Sequence, residues 1–581
     1  MSKPPNILLF MVDELRYPTV YDGPELRAWM AENLVAQRLF REHGLDFQRH
    51  YVQSSACAPS RTSIFTGQYP TLHGVSQTDG MGKTAWDPGM SWLDPNTVPT
   101  MGDWFRAAGY RTYYKGKWHI SHADIEIPGK HESLMTTTDA GIPIVENVDF
   151  YQAADRLNDF GFSGWIGPEP HGASRANSGW IRDPGYKHQA LSLIDELEAG
   201  DDDQPWLLVN SFVNPHDIVF FGLFWAAPQP FGFGLPYPTP EQVPEIPPPP
   251  TANEDLSTKP TAQASYVATY PQMFLPQPTI ELYRRFYYFL QINVEKYIRK
   301  VYQRLESSRF FDNTIVVFTT DHGDMLGAHG GMHQKWYNAY EETIHVPLII
   351  TSPLFGDTPR SESGLTSHAD LLPTLLGLAG VDVDEAAKSL AASHTETRPL
   401  VGRDLSGVVR GTSTVPSDPV FFMTYDDVSQ GLSQVVGNRQ WESVTTPNQV
   451  ESIVVQLGET LWKFSIYTQR FDTPYAGLIT NPNLLAMVPP KDVAPQYEQY
   501  NLTADPIEKF NLTSPQFETQ EAKDIRPQLQ ALLDEQRAKK CLTPDDNEGV
   551  VRAGGEGSIV IAIPEGLQEA SFNAGALPHP G

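Results

Sequence analysis

Cysteine is nearly absent from this chain: 581 residues contain two, Cys57 and Cys541, so no framework of disulfides can organise the fold. Basic residues are also scarce, 42 Lys and Arg against 70 Asp and Glu, for a net charge of −28. A surface of that sign repels nucleic acid and anionic membrane, which excludes both as partners. An anionic substrate would need a pocket made locally positive by a few particular Arg and Lys side chains. Long hydrophobic runs are missing too. The first apolar stretch, Asn6 to Val12, follows Met1-Ser2-Lys3-Pro4-Pro5 and is too short for a secretory signal or a membrane span, so the expectation is a soluble, cytoplasmic protein. The sequons at Asn501 and Asn511 then read as chance.

With 40% hydrophobic and 11% aromatic residues the chain can bury a large core, and its length exceeds what one core serves, so two domains are expected. Short β-branched or aromatic runs alternate with helical patterns, the arrangement of an α/β fold in which a large mixed, mostly parallel sheet is sandwiched by helices. Candidate strands are Ile7 to Val12, Thr112 to Lys115, Trp206 to Val213, Thr314 to Thr319 and Val346 to Thr351. Leu282, Phe286, Leu290, Val294, Ile298, Val301 and Leu305 step by three or four and predict a helix covering one face of that sheet. Residues 219–280 are rich in Pro, Gly and aromatics, with Pro247 to Pro250 in a row, and read as an irregular insertion that is either a lid or wall near the site or a surface excursion, the position just after His216 favouring the former. From residue 415 the runs shorten to Gln434 to Val436, Ser452 to Leu457 and Leu461 to Tyr467, and a helix follows at Glu521 to Lys539. The expected division is a catalytic α/β domain over 1–414, a smaller α+β domain with an antiparallel sheet over 415–540, and an extended tail over 541–581. That tail is either docked on a neighbouring subunit of a homo-oligomer or disordered.

Chemistry gathers around Cys57. It opens the run Cys57-Ala58-Pro59-Ser60-Arg61, followed by Thr66-Gly67, and a helix can begin here with Pro59 and Ser60 in its first turn. A group at such a position faces backbone N–H donors and the positive end of a helix dipole, and Arg61 adds a planar fork of donors suited to a tetrahedral oxyanion. Asp13-Glu14 closes the first strand and Asp321-His322 closes another. Strand ends converge in open α/β sheets, and several carboxylates around one point call for a cation. Lys117 and His119, two apart after a strand, can point to one side.

These motifs resemble the type I, formylglycine-dependent sulfatase family, an arylsulfatase-like branch of the alkaline phosphatase superfamily, which carries Cys-x-Pro-Ser-Arg followed by Thr-Gly. The resemblance implies that a formylglycine-generating enzyme converts Cys57 to formylglycine. It implies a metal shell of Asp13, Glu14, Asp321 and His322 completed by the oxygen at position 57. Mostly oxygen ligands favour Ca²⁺, and the imidazole of His322 keeps Mn²⁺ open. In Gly116-Lys117-Trp118-His119 the family places a sulfate-binding Lys117 and a His119 near the second hydroxyl of the nucleophile. Within Asn214-Pro215-His216-Asp217 and Gly331-Met332-His333-Gln334-Lys335 it places His216 beside the leaving group and Lys335 as a second sulfate-binding lysine. Two positions depart from the pattern: Glu14 replaces the commoner Asp, and His345 replaces the usual Arg in Glu341 to Pro347. The segment Gln499 to Pro506 is similar to a sulfatase C-terminal pattern.

The implied reaction is hydrolysis of small-molecule sulfate monoesters. One formylglycine hydroxyl attacks sulfur, and Arg61, Lys117 and Lys335 meet the charge on the sulfuryl oxygens. His216 protonates the leaving group, and His119 takes a proton from the remaining hydroxyl, which expels sulfate and restores the aldehyde. Two alternatives stand beside it: a phosphonate monoester or phosphodiester hydrolase with the same nucleophile, and a non-catalytic binding protein with Cys57 unmodified. Phe220, Phe221, Phe224, Trp225, Phe231, Phe233 and Tyr237 either line a pocket for aromatic or apolar esters or form a satellite core.

Overall fold

The computed structural model describes every residue except 1–2, 131, 171–174, 221–237, 275–278, 357, 437–438, 470–492 and 545–581. The aromatic run from Phe221 to Tyr237 and all but the first residues of the expected tail therefore lie outside the described residues.

Among the described residues the principal sheet has eight strands: β1 (Asn6–Asp13), β2 (Gly44–Tyr51), β3 (Arg111–Gly116), β4 (Trp206–Pro215), β5 (Thr314–Thr320), β6 (His345–Thr351), β7 (Arg360–Glu362) and β8 (Thr366–Ser367). Their order is β3-β4-β1-β5-β6-β2-β7, with β8 also paired to β2. Only β6 runs against its neighbours, β5 and β2. Residues alternate between faces, so Ile7, Leu9 and Met11 of β1 enter one core while Leu8, Phe10 and Val12 enter the other. The helix Ile280–Glu306 lies on the second face, and Phe286, Leu290, Val294, Ile298, Val301 and Leu305 are buried there as the spacing predicts.

All five expected strands are present. Strand β2 was not foreseen, because Gly-Leu-Asp-Phe-Gln-Arg-His-Tyr is too polar to read as a buried strand. Gly44 starts it where a Cβ would sit 2.6 Å from the Ile350 carbonyl oxygen, an approach only glycine permits. The insertion is also more regular than expected. Residues Thr261–Met273 form a helix, possible because Pro271 falls in its last turn and ten residues before it are free of proline.

A second, antiparallel sheet is built from β9 (Val420–Thr424), β12 (Gln449–Leu457), β13 (Thr460–Thr468) and β14 (Gln496–Asn501), in the order β14-β13-β12-β9. Between β9 and β12 in sequence, β10 (Val435–Val436) and β11 (Arg439–Gln440) pair only with each other. The helix Gln520–Lys540 covers one face of this sheet, with Leu529 and Leu533 against Phe421, Ile453, Trp462 and Phe464. Through Phe422, Val450, Val454 and Tyr467 the opposite face packs on Tyr266, Trp336 and Tyr340 of the larger unit. Among the described residues no helix is long and apolar enough to cross a membrane.

Candidate active site

Parallel strands deliver their carboxyl ends to one edge of a sheet, and the candidate residues collect at that edge. Asp13 ends β1 and Glu14 follows it, while Asp321 and His322 follow β5, Lys117 and His119 follow β3, and His216 follows β4. Because β1 lies between β4 and β5, Asp13 stands centrally. The helix Cys57–Thr66 supplies the other wall, with Cys57 at its first position and no side chain capping its N-terminus. Gly116 makes the entry to Lys117. Its φ is +123°, and a Cβ there would lie 1.7 Å from the Ser211 carbonyl oxygen, to which Lys117 donates its N–H at 3.0 Å.

One ligand atom each from Asp13, Cys57, Asp321 and His322 lie within 4.8 Å of one another, all buried. Cys57 Sγ is 3.1 Å from His322 Nε2 and 3.6 Å from Asp13 Oδ1. Asp13, Glu14 and the partly buried His216 form a second cluster of ligand atoms. Glu14 is fully buried, with the Lys335 ammonium 3.2 Å from Oε1 and the Asp324 carboxyl beside it. Buried carboxylates gathered this closely around Asp13, beside an imidazole nitrogen, suit a divalent cation with oxygen-rich coordination.

Arg61, expected as a sulfate contact, is engaged on most sides by its neighbours. It is fully buried, with Nε donating to Asp321 Oδ2 at 2.7 Å and Nη2 to Asp13 Oδ2 at 2.9 Å. Its Nη1 donates to the Lys117 carbonyl at 2.8 Å and to Ser211 Oγ at 3.0 Å. Four of its five N–H groups are thus committed to orienting two carboxylates and the backbone of the lysine loop. Two ammonium groups stand at the same edge, Lys117 2.6 Å from Asp13 Oδ2 and Lys335 3.2 Å from Glu14 Oε1.

Burial opposes ionisation of Asp13, but Lys117, His216, Arg61 and His322 outweigh it and hold the carboxyl well below the usual range. Glu14 moves the other way, raised by burial that Lys335 only partly offsets. Burial lowers both His322 and His216, the latter further through Lys117, so both imidazoles are neutral at neutral pH. A neutral His322 is competent to bind a metal. Burial also pushes the Cys57 thiol up, and Asp13 adds to the effect, so the unmodified side chain is a poor nucleophile.

Several contributors carried no sequence signal. Asp79 Oδ1 holds His119 Nε2 at 2.6 Å, and Glu169 accepts from the N–H groups of Trp118 (3.1 Å) and His119 (2.9 Å), fixing His119 with φ +59°. Trp336 lies under Lys335, its ring centroid 4.8 Å from Nζ. Asp79 sits in a turn-like Thr-Asp-Gly and Glu169 between prolines, so neither segment advertises chemistry. Outward from His119 the rings of Trp92 (5.7 Å), His122 (5.2 Å from Trp92) and Trp86 (4.4 Å from His122) follow one another to the half-exposed Trp86.

The chain is similar to known proteins. Residues 5–381 match the model of the family described as Sulfatase. Choline-sulfatase of Rhizobium meliloti (strain 1021) is 28% identical over 389 residues, 66% of this chain and 69% of that protein. Among solved structures, a 2-O GAG sulfatase superposes with a TM-score of 0.59 at 20% identity, covering 92% of both chains. A phosphonate monoester hydrolase from Silicibacter pomeroyi does so with a TM-score of 0.57 at 19% identity, covering 92% of this chain and 96% of its own. At these identities the structures establish the shared fold.

Proposed function

Because this chain belongs to the sulfatase family, a premise set by the match over residues 5–381, we propose that it hydrolyses organic sulfate monoesters, aryl esters included, at a formylglycine formed from Cys57 beside a divalent metal ion. One observation carries the reading: Cys57 Sγ lies 3.1 Å from His322 Nε2 within the Asp13, Asp321 and His322 group, with both Lys117 and Lys335 paired to the adjacent acids. Asp13, Asp321 and His322 would hold the ion, with Glu14 at its margin, and their oxygen-rich set favours Ca²⁺ over Mn²⁺. When bound, the metal and formylglycine supply a Lewis acid and a hydrated aldehyde nucleophile.

The remaining work belongs to side chains already in place. Burial opposes the charge on Lys117 and Lys335, but Asp13 outweighs it at Lys117, and Cys57 with Glu14 and Asp13 does so at Lys335, so both offer fixed charge to the sulfuryl oxygens. An anionic ester arriving between them favours the protonated form of His216, which then donates to the leaving oxygen. Asp79 accepts from His119 Nε2, leaving the lone pair on Nδ1 as the base. The rings of Trp92, His122 and Trp86 leading outward from His119 suit a flat apolar leaving group.

The test joins mass spectrometry of the peptide carrying Cys57 to kcat/KM on an aryl sulfate and an aryl phosphonate monoester. Formylglycine at position 57 with a preference for the sulfate supports the proposal. A preference for the phosphonate assigns the chain to the chemistry of the Silicibacter pomeroyi enzyme, whose fold it shares. Thiol alone with no turnover, in protein from its native host, would make it a binding protein.

A further inference from the structure

The C-terminal sheet reaches into the site through the end of β9. Met423 donates its N–H to the Gln53 carbonyl at 3.1 Å, and Thr424 Oγ1 donates to the Ser55 carbonyl at 2.5 Å, two residues before Cys57. Asp426 follows, 3% exposed. Its Oδ2 accepts from Trp336 Nε1 at 2.9 Å and from the Ala56 N–H at 3.4 Å. Its Oδ1 accepts from the Thr78 N–H at 3.0 Å, with Lys83 Nζ 3.8 Å away. Thr78 Oγ1 in turn accepts from the Ala58 N–H at 3.3 Å. A single buried carboxylate therefore ties the backbone on both sides of Cys57 to the indole that lies under Lys335. Asp427 repeats the link one residue on, accepting from Tyr337 Oη at 2.5 Å and donating its N–H to Gln77 Oε1 at 3.1 Å.

We propose that Asp426 is a positioning residue, which sets the spacing between the Cys57 helix and the Lys335 ammonium and so makes the C-terminal sheet part of the active site. It rests on the reading that these two groups act together on a sulfate ester. The chemistry of the side chain explains why a carboxylate is needed. Both of its oxygens face donors, so an amide would turn its own N–H₂ toward either the indole N–H or the Thr78 N–H. One arm of the link must then break. Misplacement of a reacting group by about 1 Å costs on the order of 100-fold in rate, so small slippage is sufficient.

The experiment compares wild type, Asp426→Asn, Trp336→Phe and the double variant. Each is assayed for kcat and KM on an aryl sulfate, normalised to the formylglycine content at position 57, and for thermal unfolding. Trp336→Phe keeps a ring under Lys335 and removes only the indole donor. The expected result is a loss in kcat/KM of about 10-fold to 100-fold for Asp426→Asn and a smaller loss for Trp336→Phe. The double variant should be no worse than Asp426→Asn alone, because the two residues act through one contact. A purely structural role would lower thermal stability yet leave kcat/KM per matured site within twofold, and that outcome overturns the proposal, as do losses that multiply in the double variant. Should Asp426→Asn fail to fold, unchanged kcat/KM in Trp336→Phe overturns it equally. Wild type inactive on every sulfate ester would instead refute the sulfatase reading and the proposal with it.

Discussion

Replacing Arg61 with lysine separates geometry from charge at the centre of the site. Arg61 joins Asp13 Oδ2 at 2.9 Å to Asp321 Oδ2 at 2.7 Å, and all three side chains are fully buried. Lysine keeps the positive charge, so the electrostatic repulsion felt by an incoming cation is unchanged. Its ammonium is a compact point, however, and cannot span two carboxylates while also holding the Lys117 carbonyl and Ser211 Oγ. One carboxylate loses its partner and swings. Groups that orient metal ligands typically cost 10-fold to 100-fold in metal affinity or activity when altered, or about 1.4 to 2.7 kcal/mol. Arg61→Lys should therefore weaken metal binding by about that factor, read by titrating Ca²⁺ into chelator-stripped protein and following thermal stability, with no substrate present. If metal affinity is unchanged and only KM for the ester rises, Arg61 contacts the sulfate and its assignment as an orienting group is wrong.

Removing the metal with a chelator should abolish turnover and lower the unfolding temperature, and Ca²⁺ should restore both more fully than Mn²⁺; an ion at 100 times its Kd stabilises by about 2.7 kcal/mol. Gly116→Ala should lose more than about 4 kcal/mol, because φ is +123° and the new methyl would meet the Ser211 carbonyl at 1.7 Å. Soluble yield and unfolding temperature equal to wild type would refute that steric argument. Glu295 is buried at the contact with Ala36 and Gln37, which donate to it at 2.7 and 2.9 Å, and burial raises its pKa from 4.5 to about 7. Its folded form binds a proton more tightly than the unfolded chain does, so its contribution is intact below pH 4.5 and falls by about 3 kcal/mol as pH rises through 7. Glu295→Gln should flatten that slope in urea denaturation at pH 5 and pH 8, and an unaltered slope would exclude Glu295 as its source.

Local pattern was informative wherever one segment carries its own physics. The strand β1 reads from its apolar run and ends on Asp13, and the helix Ile280–Glu306 reads from a stripe repeated over seven positions. Cys57 at a helix start, Gly116 before Lys117 and the Asn-Pro-His around His216 are likewise written in adjacent residues. Strand β2 was illegible because its burial comes from neighbours β6 and β7 rather than from its own composition. The helix Thr261–Met273 was hidden by the prolines that surround it.

The amino-acid order by itself determined which side chains are available and where strands end: two acidic clusters, two lysines, three histidines and one cysteine at segment boundaries. Only the tertiary structure decided what each of them faces. Arg61 looks in sequence like a donor for an anion, yet three strand ends and Ser211 of β4 meet around it and take four of its N–H groups. Asp79, Glu169 and Asp426 act on residues 40, 50 and 90 positions or more away, in contacts made by chain crossing rather than by spacing. Periodicity reports the environment a segment seeks for itself, whereas a hydrogen bond between distant segments depends on where both have already been placed.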